Sequence, residues 1–235
     1  MRELSPQILL HISQLLNLPL HGIVAVIKLL DEGGTVPFIA RYRKEATGNL
    51  DEVAIRAIEE KLAYFRELED RRETILASIA EQGKLTDELK ARIEACLDKA
   101  ELEDLYLPYK PKRRTKATIA REKGLEPLAD YLWNQEPGAA GLLELAATFV
   151  QGEVANVNEA LEGARHIVAE RISETAEYRK HLREMMLAEG MVSSRKIEDA
   201  QDPEEKFKMY YDYREPAKAI AGHRMLAIRR GENEK

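Results

Sequence analysis

Apolar residues recur at helical spacing through most of the chain, and proline, glycine and capping residues divide this pattern into segments. The first segment predicts a helix from Pro6 to about Asn17, because the Ser5 hydroxyl can cap its N-terminus and proline is tolerated at the first helical position. Pro19 ends this helix, and apolar residues over 20–30 predict a second one. The short turn between them predicts a helix-turn-helix-like unit.

The longest predicted helix covers residues 51–82, a stretch without glycine or proline. Its apolar residues alternate at spacings of three and four, but the series meets Glu69 and Arg72 in the middle. Because the apolar stripe is interrupted there, a helical hairpin is favoured over an isolated coiled coil. The partner helix is expected over residues 86–100, with Cys96 in the core rather than acting as a reactive thiol.

Pro108 and Pro111 predict a loop that also holds Tyr106 and Tyr109, and residues 137–138 predict a later helix break. No strand-like alternation of useful length is found, so no β-strand is expected. Shorter helices are predicted over residues 38–45, 115–123, 125–133, 142–149, 158–172, 175–189 and 216–230.

The predicted fold class is all-α, a multi-helix assembly with a helix-turn-helix-like N-terminal unit and a long helix in a helical hairpin. Three regions are expected. Residues 1–104 hold that unit and the hairpin, residues 105–192 hold a basic loop and a second helical lobe, and residues 193–235 hold a linker and a final helix.

The composition supports an ordered helical protein, since 44% of the 235 residues are hydrophobic and only 6% are aromatic. No apolar run approaches the roughly 18 residues of a membrane span, and the N-terminus lacks the features of a signal peptide, so a cytoplasmic protein is expected. Cys96 is the only cysteine, and the five histidines lack ligand-like spacing. We therefore expect no disulfide, no metal and no cofactor.

Motifs that carry catalysis are not found: there is no Gly-rich phosphate loop, no GxSxG and no HExxH. Acidic residues are plentiful, but they fall on helix surfaces. We expect neither enzymatic activity nor a small-molecule substrate.

The strongest candidate for function is a basic loop, residues 109–123, where seven basic residues and one acidic residue give a local charge of +6 in a protein of net charge −6. Phosphate contacts need exposed cations, and flanking tyrosines can stack on unpaired bases. The alternative is that the loop docks on an acidic face of the same protein, such as the long helix. The candidate residues are Lys110, Lys112, Arg113, Arg114 and Lys116 for phosphate, and Tyr106 and Tyr109 for stacking.

A smaller basic cluster, Arg41, Arg43 and Lys44, extends this surface if the fold brings it alongside. Its alternative is a local ion-pair network with acids close in sequence, which are Asp31, Glu32 and Glu45. The helix-turn-helix-like unit is a weaker candidate, because the second helix offers few side chains that read base edges. Structural packing is favoured there.

Three long strings resemble a known family. TVPFIARYRKEATGNLDE (35–52), LYLPYKPKRRTKATIAREKGLEPLA (105–129) and GHRMLAIRRGE (222–232) closely resemble the N-terminal region of the bacterial Tex transcription accessory proteins. The resemblance implies that the chain is a fragment, since family members continue into RNase H-like, helix-hairpin-helix and S1 domains. It also implies a role in transcription, with the transcription machinery as a partner.

Together these observations predict a helical scaffold that binds RNA or DNA weakly and without sequence specificity through the basic loop. The rival hypothesis is a protein-interaction or purely architectural module that docks onto the missing domains or onto the transcription machinery.

Overall fold

The computed structural model of the chain describes residues 3–135, 141–202 and 204–234. It divides into two compact units, the first ending at Pro111 and the second beginning at Lys112. The break predicted at residues 137–138 lies outside the described residues. Among those described, no single helix is long and apolar enough to cross a membrane; only the first two helices, taken together and bent by 112°, meet the length and composition.

The described residues of the first unit form seven α-helices, and the helix ends follow the predicted capping residues. Ser5 accepts a hydrogen bond from the Ile8 amide, Asn17 adopts the left-handed conformation (φ 51°), and Asp51 accepts from the Ala54 amide at 2.8 Å. The helices are α1 (Pro6–Leu16), α2 (Leu20–Asp31), α3 (Val36–Tyr42), α4 (Lys44–Thr47), α5 (Glu52–Glu81), α6 (Asp87–Ala95) and α7 (Lys99–Tyr106).

The long helix α5 is the centre of this unit, with α1, α2, α3, α6 and α7 packed against it. The predicted interruption of its apolar stripe is wrong, because the buried face runs through Leu68 and Ile75 and includes Arg72 itself. The Arg72 guanidinium donates hydrogen bonds to the carbonyl oxygens of Ile93 and Cys96. The hydrogen-bond donors of this buried arginine, in the middle of the stripe, are thus satisfied by carbonyl groups at the end of α6.

The partner of α5 is two helices and not the single one predicted over residues 86–100. Cys96, which is buried as expected, has an extended backbone, and Asp98 starts α7 by accepting a hydrogen bond from the Glu101 amide at 2.8 Å. The break lies where Arg72 donates hydrogen bonds to carbonyls at the end of α6. Helix α7 then continues to Tyr106, where a loop was predicted.

The second unit buries its apolar core between α11 and the two helices α8 and α9. The core is formed mainly by alanine, leucine and isoleucine side chains, including Ala120, Leu125, Leu128, Ala164 and Ile167. The helices are α8 (Lys116–Glu122), α9 (Glu126–Asn134), α10 (Leu142–Ala147), α11 (Val157–Glu174), α12 (Ala176–Glu189) and α13 (Gly222–Asn233).

A two-stranded antiparallel hairpin follows α12, which corrects the expectation of no strands. Strand β1 (Met191–Arg195) pairs with β2 (Asp212–Pro216). Each strand has only five residues, and neither buries a residue, so the alternation is short and weak. Because Pro216 ends β2, the last helix begins at Gly222 and not at Pro216, and it runs past Gly231 to Asn233. The fold remains predominantly α-helical.

Candidate nucleic-acid interface

The basic loop crosses the division between the units. Tyr109 and Lys110 belong to the first unit, and residues from Lys112 onward belong to the second. A single 3-10 turn (Leu107–Tyr109) leads into irregular backbone, and α8 begins where the Thr115 hydroxyl accepts a hydrogen bond from the Thr118 amide at 3.0 Å. The two prolines and this cap keep the segment from continuing α7.

Tyr106 is not available for stacking, which corrects its predicted role. It lies in the last turn of α7 and is only 7% exposed. Its hydroxyl is 3.1 Å from the Ser78 hydroxyl, and the Arg71 guanidinium lies 5.3 Å from its ring centroid. Tyr106 therefore helps to attach α7 to α5. Tyr109 is half-buried, and its carbonyl accepts a hydrogen bond from the Gln82 side chain at 2.9 Å.

Four of the seven cations in the basic loop are paired with carboxylates of the second unit. Three of them bind acids of α11, so the loop docks on an acidic face of its own chain; that face belongs to α11 and not to the long helix. The pairs are Lys112 with Glu174 and Glu170, Arg121 with Glu170 (2.6 Å), Lys123 with Glu159 (2.6 Å) and Arg114 with Glu122 (2.5 Å).

The remaining three cations, Lys110, Arg113 and Lys116, are exposed and form no ion pair with any described residue. Arg114 resembles these three cations in its exposure to solvent, because its side chain is 66% exposed and its partner Glu122 is also exposed. An exposed pair of this kind is screened by solvent, so it holds the Arg114 side chain only weakly. These four side chains are the cations of the basic loop that carboxylates of the described residues engage least.

Glu170 is the main anchor of the loop in the second unit. Burial alone would raise the pKa of its carboxyl group, but hydrogen bonds from Arg121 (2.6 Å) and Thr115 (2.9 Å) and the charge of Lys112 outweigh it and lower that pKa. A lowered pKa means that the folded state binds its proton less readily than the unfolded state does. The stabilisation that these contacts of Glu170 provide is therefore present at a pH above the ordinary carboxyl pKa, and it is lost as the pH falls through the lowered pKa.

Glu170→Gln is expected to lower the free energy of unfolding by about 1 kcal/mol at pH 7. The neutral amide replaces a partly buried carboxylate, so the charge that Arg121 and Lys112 pair with is lost. At a pH below the lowered pKa the wild type is protonated too, and the difference should shrink. Urea unfolding at the two pH values measures both. Glu162→Gln is the matched control on the same helix, because that side chain is 67% exposed. An equal effect of the two variants, or a pH-independent one, would contradict this role.

The smaller basic cluster lies on α3 and α4 and is not neutralised by its neighbours. The expected ion-pair network is not formed, because Asp31 pairs with Arg66 at 2.7 Å and no described residue pairs with Arg41, Arg43 or Lys44. All three cations are exposed.

Two aromatic side chains that are not among the residues predicted for the site lie beside these cations. Phe38 and Tyr42 are 42% and 66% exposed, and their ring centroids are 5.4 Å apart. The Arg43 guanidinium lies 5.1 Å from the Phe38 centroid. The i, i+4 spacing of the two rings, on the face of α3 opposite its buried residues, is the signal that could have found them. We call this surface the aromatic-cationic patch; it consists of Phe38, Arg41, Tyr42, Arg43 and Lys44.

The patch is held in place by a close contact of α2 with α4. Thr47 is fully buried, and its hydroxyl donates to the carbonyl oxygens of Arg43 or Lys44, both at 3.2 Å. Gly22 of α2 faces the Thr47 carbonyl so closely that an added Cβ would lie 2.8 Å from that oxygen. Gly48 then ends α4 with φ 69°. Only a glycine at position 22 allows the two backbones to approach this closely.

A metal centre has no support in the residues that the structure describes, since no three His, Cys, Asp or Glu side chains among them are grouped as ligands.

The exposed face of α2, the second helix of the predicted helix-turn-helix-like unit, carries Leu20, His21, Val24 and Lys28. Of these side chains, only His21 and Lys28 are polar.

Comparison with known proteins gives two matching families. Residues 6–80 match the Tex-like protein N-terminal domain, and residues 140–235 match the Tex central region-like family. The "Transcriptional accessory protein Tex" of Neisseria gonorrhoeae is 50% identical over 95% of the chain and 29% of that relative. "Protein YhgF" of Escherichia coli is 49% identical over 89% of the chain and 27% of that relative.

A human relative, "S1 RNA-binding domain-containing protein 1", is 32% identical over 89% of the chain and 22% of its own length. The chain thus spans less than a third of the length of these relatives. The two family matches cover most of the chain, in the same order as the two regions that they describe. The chain therefore belongs to the Tex family and corresponds to its N-terminal domain and central region.

Proposed function

We propose that this chain is a non-catalytic helical scaffold of a transcription accessory protein and that it binds RNA or DNA weakly, without sequence specificity, through the basic loop. One observation carries the proposal: in a protein of net charge −6, Lys110, Arg113 and Lys116 are exposed and free of ion pairs with described residues. Unpaired exposed cations release counterions from a nucleic acid backbone, which is the main source of non-specific affinity.

The proposed set of phosphate contacts is smaller than the set that the sequence predicts. Lys112 is engaged with Glu170 and Glu174, so it positions the loop, whereas Arg114 can exchange Glu122 for a phosphate. Arg41, Arg43 and Lys44 of the first unit add a second cationic surface. The transcription machinery is the proposed protein partner, on the strength of the name that the Neisseria gonorrhoeae relative carries.

A salt titration tests the proposal. With four phosphate contacts, from Lys110, Arg113, Arg114 and Lys116, the logarithm of the binding constant should fall with the logarithm of salt at a slope of about −4 on duplex DNA. The variant Lys110→Ala, Arg113→Ala, Lys116→Ala should bind about tenfold more weakly and show a flatter slope, as expected when phosphate contacts are removed. Fluorescence anisotropy of labelled RNA and DNA measures both quantities.

The matched control removes two lysines and one arginine that are also exposed and unpaired: Lys84→Ala, Arg165→Ala, Lys218→Ala. It changes the net charge by the same amount and should keep the wild-type slope. If the two triple variants bind alike, or if the wild type binds no nucleic acid, the basic loop is not the binding site.

A second candidate function, a protein-interaction or architectural module, is favoured by the surface of α12. No residue of this helix is buried, and Tyr178, Leu182, Met185 and Met186 are all exposed on it. Exposed apolar patches of this kind mark surfaces that other proteins cover. If the wild type and the basic-loop variant bind RNA and DNA equally poorly, the first function fails and this second candidate is the one to test.

A further inference from the structure

We propose that the aromatic-cationic patch is a binding site for unpaired bases of single-stranded nucleic acid, with Tyr42 as the stacking platform. This inference rests on the proposed function, because the ligand is again a nucleic acid. It adds a second binding site and a preference for the single-stranded form. The site is formed by α3 and the start of α4 in the first unit.

The exposure of the two rings is the first argument. The buried face of α3 is formed by Val36, Ile39 and Ala40, so Phe38 and Tyr42 are left on the opposite face. Tyr42 is 66% exposed although it is one of the larger side chains, and its ring is inclined by 44° to that of Phe38. Every base has a π-face, so an exposed ring of this kind accepts any unpaired base.

The charge around the rings is the second argument. Arg41, Arg43 and Lys44 have no ion pair with a described residue, and one acid, Glu45, stands beside them. The helical segment 36–47 therefore carries a charge of +2. Arg43 already lies over one face of Phe38, which leaves Tyr42 as the freer ring. Cations next to an aromatic platform supply the phosphate contacts that a single strand needs.

The same features disfavour other polyanions. In a duplex each base is already stacked between its neighbours, so Tyr42 can contribute nothing to duplex binding. An acidic peptide would engage the three cations but would leave the rings without a matching face. Only an unpaired strand uses both halves of the patch.

The experiment compares the intact chain with variants of Tyr42 on a single-stranded RNA and on the duplex of the same sequence. Tyr42→Leu should weaken single-strand binding about fivefold, which is the size of one lost stacking contact, and leave duplex binding unchanged. Tyr42→Phe keeps the ring and should bind as the wild type does. Tyr131→Leu is the matched control, because Tyr131 is also a helical tyrosine with a partly exposed side chain, on α9 of the second unit. Anisotropy gives the affinities.

Unchanged binding by Tyr42→Leu, or an equal loss on the single strand and the duplex, would overturn the proposal. So would tighter binding of poly-glutamate than of single-stranded RNA to the triple variant of the basic loop, because the patch would then serve an acidic protein. The triple variant of the basic loop separates the two proposals. If it binds as the wild type does while Tyr42→Leu loses the single strand, the loop proposal fails and the patch stands; the reverse pattern refutes the patch alone.

Discussion

Arg72→Met is expected to lower the free energy of unfolding by about 3 kcal/mol, the size of loss seen when one side of a buried ion pair is removed. The Arg72 side chain is only 9% exposed, and its guanidinium donates to the Ile93 carbonyl at 3.1 Å, to the Cys96 carbonyl, and to Glu69. Methionine retains the apolar stem but donates no hydrogen bond. The end of α6 and the Glu69 carboxylate then lose this partner while still shielded from water. Chemical denaturation measures the change.

The matched control is Arg56→Met on the same helix. That arginine also pairs with a glutamate, Glu52, at 3.1 Å, but its side chain is 56% exposed, so a change within about 0.5 kcal/mol is expected. A double variant, Arg72→Met with Glu69→Met, should recover part of the loss, since the carboxylate charge that Arg72 offsets is removed as well. Equal effects of Arg72→Met and Arg56→Met would show that the buried cation does not hold α6 to α5.

Arg72 also shows where the sequence pattern stops being informative. An arginine within an apolar stripe is scored as an interruption, because the pattern contains no information about its partners. Those partners are the carbonyl groups of Ile93 and Cys96, 21 and 24 residues away in the chain. The starts of α1 and α5 could be predicted, because Ser5 and Asp51 act on amides within their own first turn.

In the candidate site, too, features that depend on local sequence could be predicted, and features that depend on distant residues could not. The charge of the basic loop is visible in the sequence, but its pairing depends on Glu174, 62 residues from Lys112, and on Glu170, 49 residues from Arg121. Which cations stay free could therefore not be predicted. Tyr106 and Tyr42 make the same point: one tyrosine is buried against Ser78 and the other is exposed, and tertiary packing decides which.

Gly22→Ala is expected to destabilise the first unit by about 2 kcal/mol, within the range for overpacked sites, and to displace α4. The added Cβ would lie 2.8 Å from the Thr47 carbonyl oxygen and 3.1 Å from Leu50 Cδ1. The carbonyl belongs to the backbone and cannot rotate away as a side chain can, so α4 must move from α2. Helix propensity alone predicts the opposite sign, because alanine is favoured over glycine in a helix by about 1 kcal/mol. The sign of the change in the free energy of unfolding therefore shows whether α2 and α4 are in close contact at Gly22.

The control for this change is Gly222→Ala, where an added Cβ would have no heavy atom within 4 Å. Gly222 opens α13, so alanine there should leave the protein as stable as the wild type or slightly more stable. Urea unfolding compares the two variants, and hydrogen exchange at the amides of residues 43–50 should rise in Gly22→Ala alone. If Gly22→Ala instead stabilises the protein, α2 and α4 do not approach as described. The hydrogen bonds of Thr47 would then be the remaining support for the position of the aromatic-cationic patch.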